Sequence, residues 1–182
     1  MRRNKIFTPG EGPVVVPAET ACHEAGHVAM AIELGIPIEW TGLECTDTNY
    51  GCTRPAVETT TIFEGLLFNM AGPAAGHLYH GKKGLPIWIS KSDGEVIEKH
   101  LSADKFEVAI LHVLRFLSSA PGVWHGVEAL ASAMLEKQRL TGAECVTIYR
   151  NALAQYHDEF DNYEIDPKDI YYEFYRLVRP VR

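Results

Sequence analysis

Two histidines and one glutamate stand close together near the N-terminus, in the order His23, Glu24, Ala25, Gly26, His27. On a helix, side chains four positions apart lie on one face, one turn apart, so the two imidazoles can bind one metal ion. The carboxylate beside the first histidine can take a proton from a water molecule that zinc has made acidic. This spacing therefore predicts a zinc site in which Glu24 is a general base.

The residues around the motif predict that it lies on a buried helix. The flanks are small or apolar, Pro17 precedes them, and Gly35 and Pro37 follow, so we expect a helix over 18–34. A surface helix that carries the histidines by coincidence would have polar flanks. Because glycine costs about 1 kcal/mol relative to alanine inside a helix, Gly26 indicates that another backbone or a substrate approaches closely there.

A catalytic zinc ion needs a third protein ligand, and the residues alone leave this choice open. The acidic candidates downstream are Glu64, Asp93, Glu95 and Glu98. Asp93 is attractive because a carboxylate in the first turn of a helix is held by the cap and stays ionised. Glu64 is its rival, since a thermolysin-type glutamate ligand lies on the next helix along the chain. The hydrophobic periodicity of the sequence favours neither Asp93 nor Glu64.

Length and charge limit the class of protein. The 182 residues fit one domain over 17–182, preceded by a loose arm over 1–16. The formal net charge of −7 argues against a broad nucleic-acid surface, which needs a basic face. No apolar run approaches the roughly 20 residues that cross a bilayer, and no apolar signal core follows the basic N-terminus. We therefore expect a cytoplasmic protein without nucleic-acid or membrane partners.

The cysteines argue against a second, structural zinc site. The four of them form no CxxC pair, and reduced thiols are the simplest interpretation. Cys22 adjoins His23 and could lie near the metal, but we favour a small buried residue.

The periodicity predicts a mainly α-helical domain with one small β-hairpin. The hairpin strands are expected within 36–44 and 51–57, on either side of a polar turn. Capping-box signatures at Ser92–Glu95 and Thr141–Glu144 indicate two helix starts, and Pro73 is expected to kink or split one helix. After the first helix, helices are expected over 59–80, 92–101, 104–118, 123–138, 141–157 and 166–178.

Several segments resemble the protease domain of FtsH-type ATP-dependent zinc peptidases. Residues 20–27 are similar to that family's TAxHEAGH, and residues 92–95 stand where the family has its third-ligand segment, SDLEQA or NDIEQA. The other similar segments, in the family's order, are 51–53, 70–75, 130–137 and 140–144. The similarity covers about residues 18–150, which makes it more specific than the histidine motif alone.

The resemblance implies a helical peptidase domain that binds Zn²⁺ through His23, His27 and Asp93, with Glu24 as the catalytic base. It also implies that the hairpin, from about residue 41 to 54, presents an edge that pairs with an extended substrate. The chain departs from the family at Gly76 and His77, where the family has paired glutamates. It also shows no membrane helix and no GxxxxGK[ST] loop of an ATPase.

Two functions follow as hypotheses. The first is a stand-alone zinc metalloendopeptidase that hydrolyses peptides or unfolded proteins, with an ATPase partner in trans for folded substrates. The alternative is a catalytically weak or inactive peptide-binding module that retains zinc. A purely structural helical protein with coincidental histidines is the third and weakest hypothesis. The natural substrate, the oligomeric state and the role of the tyrosine-rich C-terminal segment are left open.

Overall fold

Six helices and three short strands form the part of the chain that the computed structural model describes, namely residues 17–43, 51–57, 61–81, 87, 89–119 and 121–159. The predicted mainly α fold with a small hairpin is confirmed. The arm over 1–16, the turn at 47–50 and the helix predicted over 166–178 lie outside the described residues. The elements are α1 (Pro17–Glu33), β1 (Ile38–Gly42), β2 (Cys52–Pro55), α2 (Ile62–Tyr79), α3 (Lys91–His100), α4 (Ala103–Ser119), α5 (Pro121–Lys137), β3 (Arg139–Thr141) and α6 (Gly142–Glu159).

A three-stranded antiparallel sheet contains the predicted hairpin and one strand that the sequence did not indicate. β1 is the central strand, with β2 on one side and β3 on the other. Gln138 has a φ of 64°, the left-handed conformation that commonly follows a helix end, and it turns the chain from α5 into β3. With only three residues, β3 is too short to show an alternating pattern.

Helix α1 lies at the centre of the fold, where it packs mainly on α2 and α5. Its small residues allow this close packing. A Cβ atom added at Gly26 would lie 2.5 Å from the carbonyl oxygen of Ala71 and 2.6 Å from the Cβ of Ala75, both on α2. The close approach of a second backbone at Gly26, predicted from the sequence, is therefore confirmed.

Five of the six described helices begin within two residues of the predicted starts, whereas α2 begins at Ile62 rather than at residue 59, after Thr61 as its N-cap. The capping box predicted at Ser92 and Glu95 is wrong, because Ser90 caps α3 and its hydroxyl accepts a hydrogen bond from the Asp93 amide at 3.1 Å. Ser90 and Asp93 are three positions apart, as Ser92 and Glu95 are. Because the cap is Ser90, two residues before the predicted one, Asp93 lies in the first turn of α3. The capping box at Thr141 and Glu144 is confirmed.

Helix α2 continues through Pro73 without being split. Most of its residues are buried, which fits its position against α1, α3 and α4. Among the described residues, no single helix has the length and apolarity to span a membrane, although α4 and α5 meet these criteria together as a pair bent by 85°.

Candidate metal centre

The two histidines of α1 direct their imidazoles to one point. The Nε2 atoms of His23 and His27 lie 3.1 Å apart, as expected for residues one helical turn apart on the same face. His27 is only 4% exposed, whereas His23 is partly open to solvent. One ion between the two nitrogens would therefore be enclosed on the His27 side and accessible near His23.

Asp93 completes a group of three ligand atoms from the first turn of α3. Its carboxylate oxygens lie 3.2 Å from the Nε2 of His23 and 3.5 Å from the Nε2 of His27. Zinc binds such atoms at about 2.0–2.2 Å, so two ligands of a tetrahedral ion are about 3.3 Å apart. The 3.1 Å between the two imidazole nitrogens and the 3.2 Å between Nε2 of His23 and Oδ2 of Asp93 are close to this value. The 3.5 Å to His27 is made by the other oxygen of Asp93, Oδ1, and with one atom taken from each residue the three atoms lie within 4.8 Å of one another. Two imidazoles and one carboxylate also form a donor set typical of catalytic zinc, with the fourth position left for water.

Neighbouring groups fix the orientation of the buried ligand His27. Its Nδ1 lies 2.7 Å from the carbonyl oxygen of Phe68 on α2. Because a carbonyl can only accept, Nδ1 must carry the hydrogen, and the neutral imidazole then has a lone pair at Nε2. The Phe68 ring stacks on the imidazole with 4.8 Å between centroids. Such contacts hold a histidine in the tautomer that binds a metal.

Gly72 leaves the space that the His27 ring occupies. A Cβ atom at this position of α2 would overlap the ring at Nε2, Cδ2 and Cε1. Asp93 is oriented in a similar way, since the hydroxyl of Ser90 donates to its Oδ2 at 2.7 Å. No motif in the sequence marks Gly72, Ser90 or the Phe68 carbonyl as part of the site. Only the spacing of Ser90 and Asp93 offered a local signal.

The electrostatic environment keeps the acidic ligand in its ionised form. Burial alone would raise the pKa of Asp93, but the charge of His27, the hydrogen bond and charge of His23 and the hydrogen bond from Ser90 lower it below its ordinary value. For His23, burial alone would lower the pKa, but the hydrogen bond to Asp93 and the nearby carboxylates raise it. The carboxylate and the two imidazoles therefore attract each other, and the imidazoles must be in their neutral form to bind a metal ion together with the carboxylate.

The side chain of Glu24 packs against the start of strand β2, and the residue is 5% exposed. The hydroxyl of Thr53 is 2.7 Å from the Oε2 of Glu24 and 3.3 Å from its carbonyl oxygen. A Cβ atom at Gly51 would lie 2.8 Å from both Cγ and Oε1 of Glu24. The predicted base therefore lies between the metal-ligand helix and the hairpin.

The other acidic candidates for the third ligand lie elsewhere. Glu64 belongs to the cap of α2, where its Oε2 accepts the Thr61 amide hydrogen at 2.9 Å. Glu95 and Glu98 are exposed on α3, and Glu95 pairs with Lys91 at 3.8 Å. The geometry thus favours Asp93 over Glu64. Among the described residues, the one group with the geometry of a metal site is His23, His27 and Asp93.

Cys22, the chain neighbour of His23, and His77 of α2 are both buried, and neither belongs to this group. Burial, followed by the charges of Glu128 and Glu19, raises the pKa of the Cys22 thiol to about 11. The thiol is therefore protonated at neutral pH, which agrees with a small buried residue rather than a thiolate ligand.

Comparison of the chain with models of known protein families and with curated proteins finds no significant match. The resemblance to FtsH-type peptidases therefore depends on the motifs named above.

Proposed function

We propose that this protein is a zinc-dependent metallopeptidase of the FtsH-like type, in which His23, His27 and Asp93 bind the metal and Glu24 is the general base. The observation that carries the proposal is that one ligand atom from each of His23, His27 and Asp93 lies within 4.8 Å of the other two, with Glu24 on the same helix as the histidines. The resemblance in motifs supports a peptide bond as the target. The donor set supports Zn²⁺ over Mg²⁺ or Ca²⁺, which prefer all-oxygen sites.

A bound zinc ion would acidify a coordinated water and polarise the substrate carbonyl. Glu24 takes one proton from the attacking water as its oxygen forms a bond to the carbonyl carbon. Glu24 then delivers that proton to the amide nitrogen as the C–N bond breaks, and it returns to its ionised form. Its nearly complete burial places this exchange away from bulk water.

The hairpin supplies the surface on which an extended peptide would bind. β2 pairs with β1 alone in the described sheet, so its other side is an edge. A substrate that adds to this edge through main-chain hydrogen bonds would run past Gly51 and Thr53, next to Glu24. Recognition of this kind tolerates many sequences but needs an extended chain. We therefore propose peptides and unfolded segments as substrates, with an ATPase acting in trans when the substrate is folded.

Glu24→Gln provides the test, because it removes the base but keeps the shape of the side chain. We expect the variant to bind one zinc per chain and to lose at least about a hundredfold in kcat. Metal analysis and cleavage of a fluorogenic peptide library measure the two quantities, and Glu95→Gln on exposed α3 is the control. Unchanged hydrolysis by Glu24→Gln would refute the mechanism. If the wild-type protein binds zinc and peptides but cleaves none, it is the peptide-binding module instead.

A further inference from the structure

Two threonines face each other across the hairpin next to the proposed base. Thr41 of β1 is directly opposite Thr53 of β2 in the antiparallel register. Their hydroxyl oxygens are 2.7 Å apart, and Thr53 is also 2.7 Å from the Oε2 of Glu24. Thr41 is fully buried. The three groups thus form a continuous chain of hydrogen bonds from the interior of the sheet to the carboxylate.

The number of hydrogens fixes the direction of this chain. An ionised carboxylate can only accept, so Thr53 must use its single hydroxyl hydrogen for Glu24. The hydrogen between the two threonine oxygens must then come from Thr41. The remaining acceptors within reach of Thr41, the carbonyl oxygen of Cys52 at 3.3 Å and the sulfur of Met134 at 3.5 Å, are more distant. A hydrogen donated by Thr41 leaves the Thr53 hydrogen for Glu24, whose Oε2 at 2.7 Å is nearer than its carbonyl oxygen at 3.3 Å.

The opposite side of the carboxylate is limited by Gly51. Its Cα approaches so closely that an added Cβ would lie 2.8 Å from Oε1. Thr53 holds Oε2, and Gly51 limits the movement of Oε1. A glutamate side chain has several rotatable bonds, and the hydrogen bond together with the close Gly51 backbone restricts them. Both contacts come from the same short segment at the start of β2.

We infer that Thr53 is a positioning residue for catalysis, which acts by holding Oε2 of Glu24 with a hydrogen bond that Thr41 directs. The inference rests on the proposed peptidase function and names further residues of that site. A neutral hydroxyl orients the carboxylate without placing a positive charge beside it. Thr41 contacts Thr53 rather than Glu24, so its hydroxyl has a smaller effect on kcat than the hydroxyl of Thr53.

Three variants test the role of the hydroxyls in the zinc-loaded full-length protein. Thr53→Val keeps the shape of the side chain but removes the donor, so kcat for a fluorogenic peptide should fall about tenfold to a hundredfold, with KM changed less than about twofold. Thr53→Ser keeps the hydroxyl and should remain within about threefold of the wild type. Thr41→Val should lower kcat by about threefold to tenfold. Zinc content should equal one per chain throughout.

Four kinetic or zinc-content results would contradict parts of the inference. An unchanged kcat in Thr53→Val, or an equal loss in Thr53→Val and Thr53→Ser, overturns it. A loss that appears in KM or in zinc content assigns Thr53 to substrate binding or to the fold instead. An unchanged kcat in Thr41→Val overturns the directing role of Thr41.

A crystal structure of zinc-loaded Thr53→Val gives a readout that does not need turnover. We expect the Glu24 carboxylate to leave its wild-type position while His23, His27 and Asp93 remain in place. A carboxylate in the wild-type position overturns the inference. If the wild-type protein cleaves no peptide, the proposed function fails, and this structural comparison still decides whether Thr53 positions Glu24.

Discussion

At the scale of single residues, the site depends on positions that contribute no ligand atom. His27 can serve as a ligand because Phe68 accepts its Nδ1 hydrogen and because Gly72 has no side chain to displace the ring. Outer contacts of this kind typically change metal affinity about 10- to 100-fold when they are lost. The glycines of α2 therefore offer a test of the metal site that leaves its ligands intact.

Gly72→Ala should weaken zinc binding by at least about tenfold, because the new methyl group would force the His27 imidazole to move. Gly76→Ala on the same buried helix is the matched control. There a Cβ atom would lie 3.8 Å from the Cβ of His23 and 3.9 Å from Glu19, which is ordinary contact. Competition with a chromophoric chelator measures both affinities. Equal zinc affinity in the two variants would contradict the assigned position of the metal.

At the scale of elements, the site lies where the start of β2 meets α1, with α2 and α3 on the other sides. α1 supplies two candidate ligands and the base, and α3 supplies the third candidate ligand. β2 contacts the base through Thr53, and its neighbour Gly51 approaches the side chains of Glu24 and Thr20. Changes at β2 and at α2 should therefore have separate effects, on turnover and on metal binding respectively.

Gly51→Ala should lower kcat by about tenfold or more and leave zinc content unchanged. The added methyl group would lie 2.7 Å from Cγ2 of Thr20 and 2.8 Å from Cγ and Oε1 of Glu24, so both buried side chains would have to shift and the melting temperature should fall as well. Peptide cleavage, zinc analysis and thermal unfolding of the variant and the wild type measure the three quantities. Loss of zinc together with activity would mean that β2 supports the ligands as well as the base.

At the scale of the whole molecule, a partly buried hydrogen bond connects α1 to α6, the last described helix. The hydroxyl of Tyr149 on α6 donates to Oε1 of Glu33, at the end of α1, at 2.7 Å. Burial raises the pKa of Glu33 above its ordinary value of 4.5, and the hydrogen bond only partly offsets this shift. Burial likewise raises the pKa of Tyr149, which stays neutral.

Glu33→Gln should change how stability depends on pH. Because the native carboxyl binds its proton more tightly than the unfolded one, the wild type loses stability as pH rises from about 4.5 through the raised pKa. Below about pH 4.5 the carboxyl is protonated in both states, and this loss is absent. Glutamine at position 33 does not titrate. The free energy of unfolding of the variant minus that of the wild type should therefore increase from about pH 4 to pH 7. Urea unfolding at several pH values measures this difference, and a decrease instead would contradict the assigned shift.

The sequence by itself determined the features that depend on neighbouring residues. The helix predicted over 18–34 is α1, Pro17–Glu33. Its period of 3.6 residues brings the Nε2 atoms of His23 and His27 to a distance of 3.1 Å. Turn and cap signals likewise located the hairpin and the start of α6 at Thr141. These features need no knowledge of distant contacts, because backbone geometry and local hydrogen bonds produce them.

Only the tertiary structure decided which distant residues join the two histidines. Spacing left Glu64 and Asp93 open, and the packing of α3 beside α2 brings Asp93 to the imidazoles, while Glu64 stays at its own helix cap. Thr53 reaches Glu24 only because the hairpin lies across α1. Such contacts join residues far apart in the chain, and the shape of the packed core sets them rather than any local repeat.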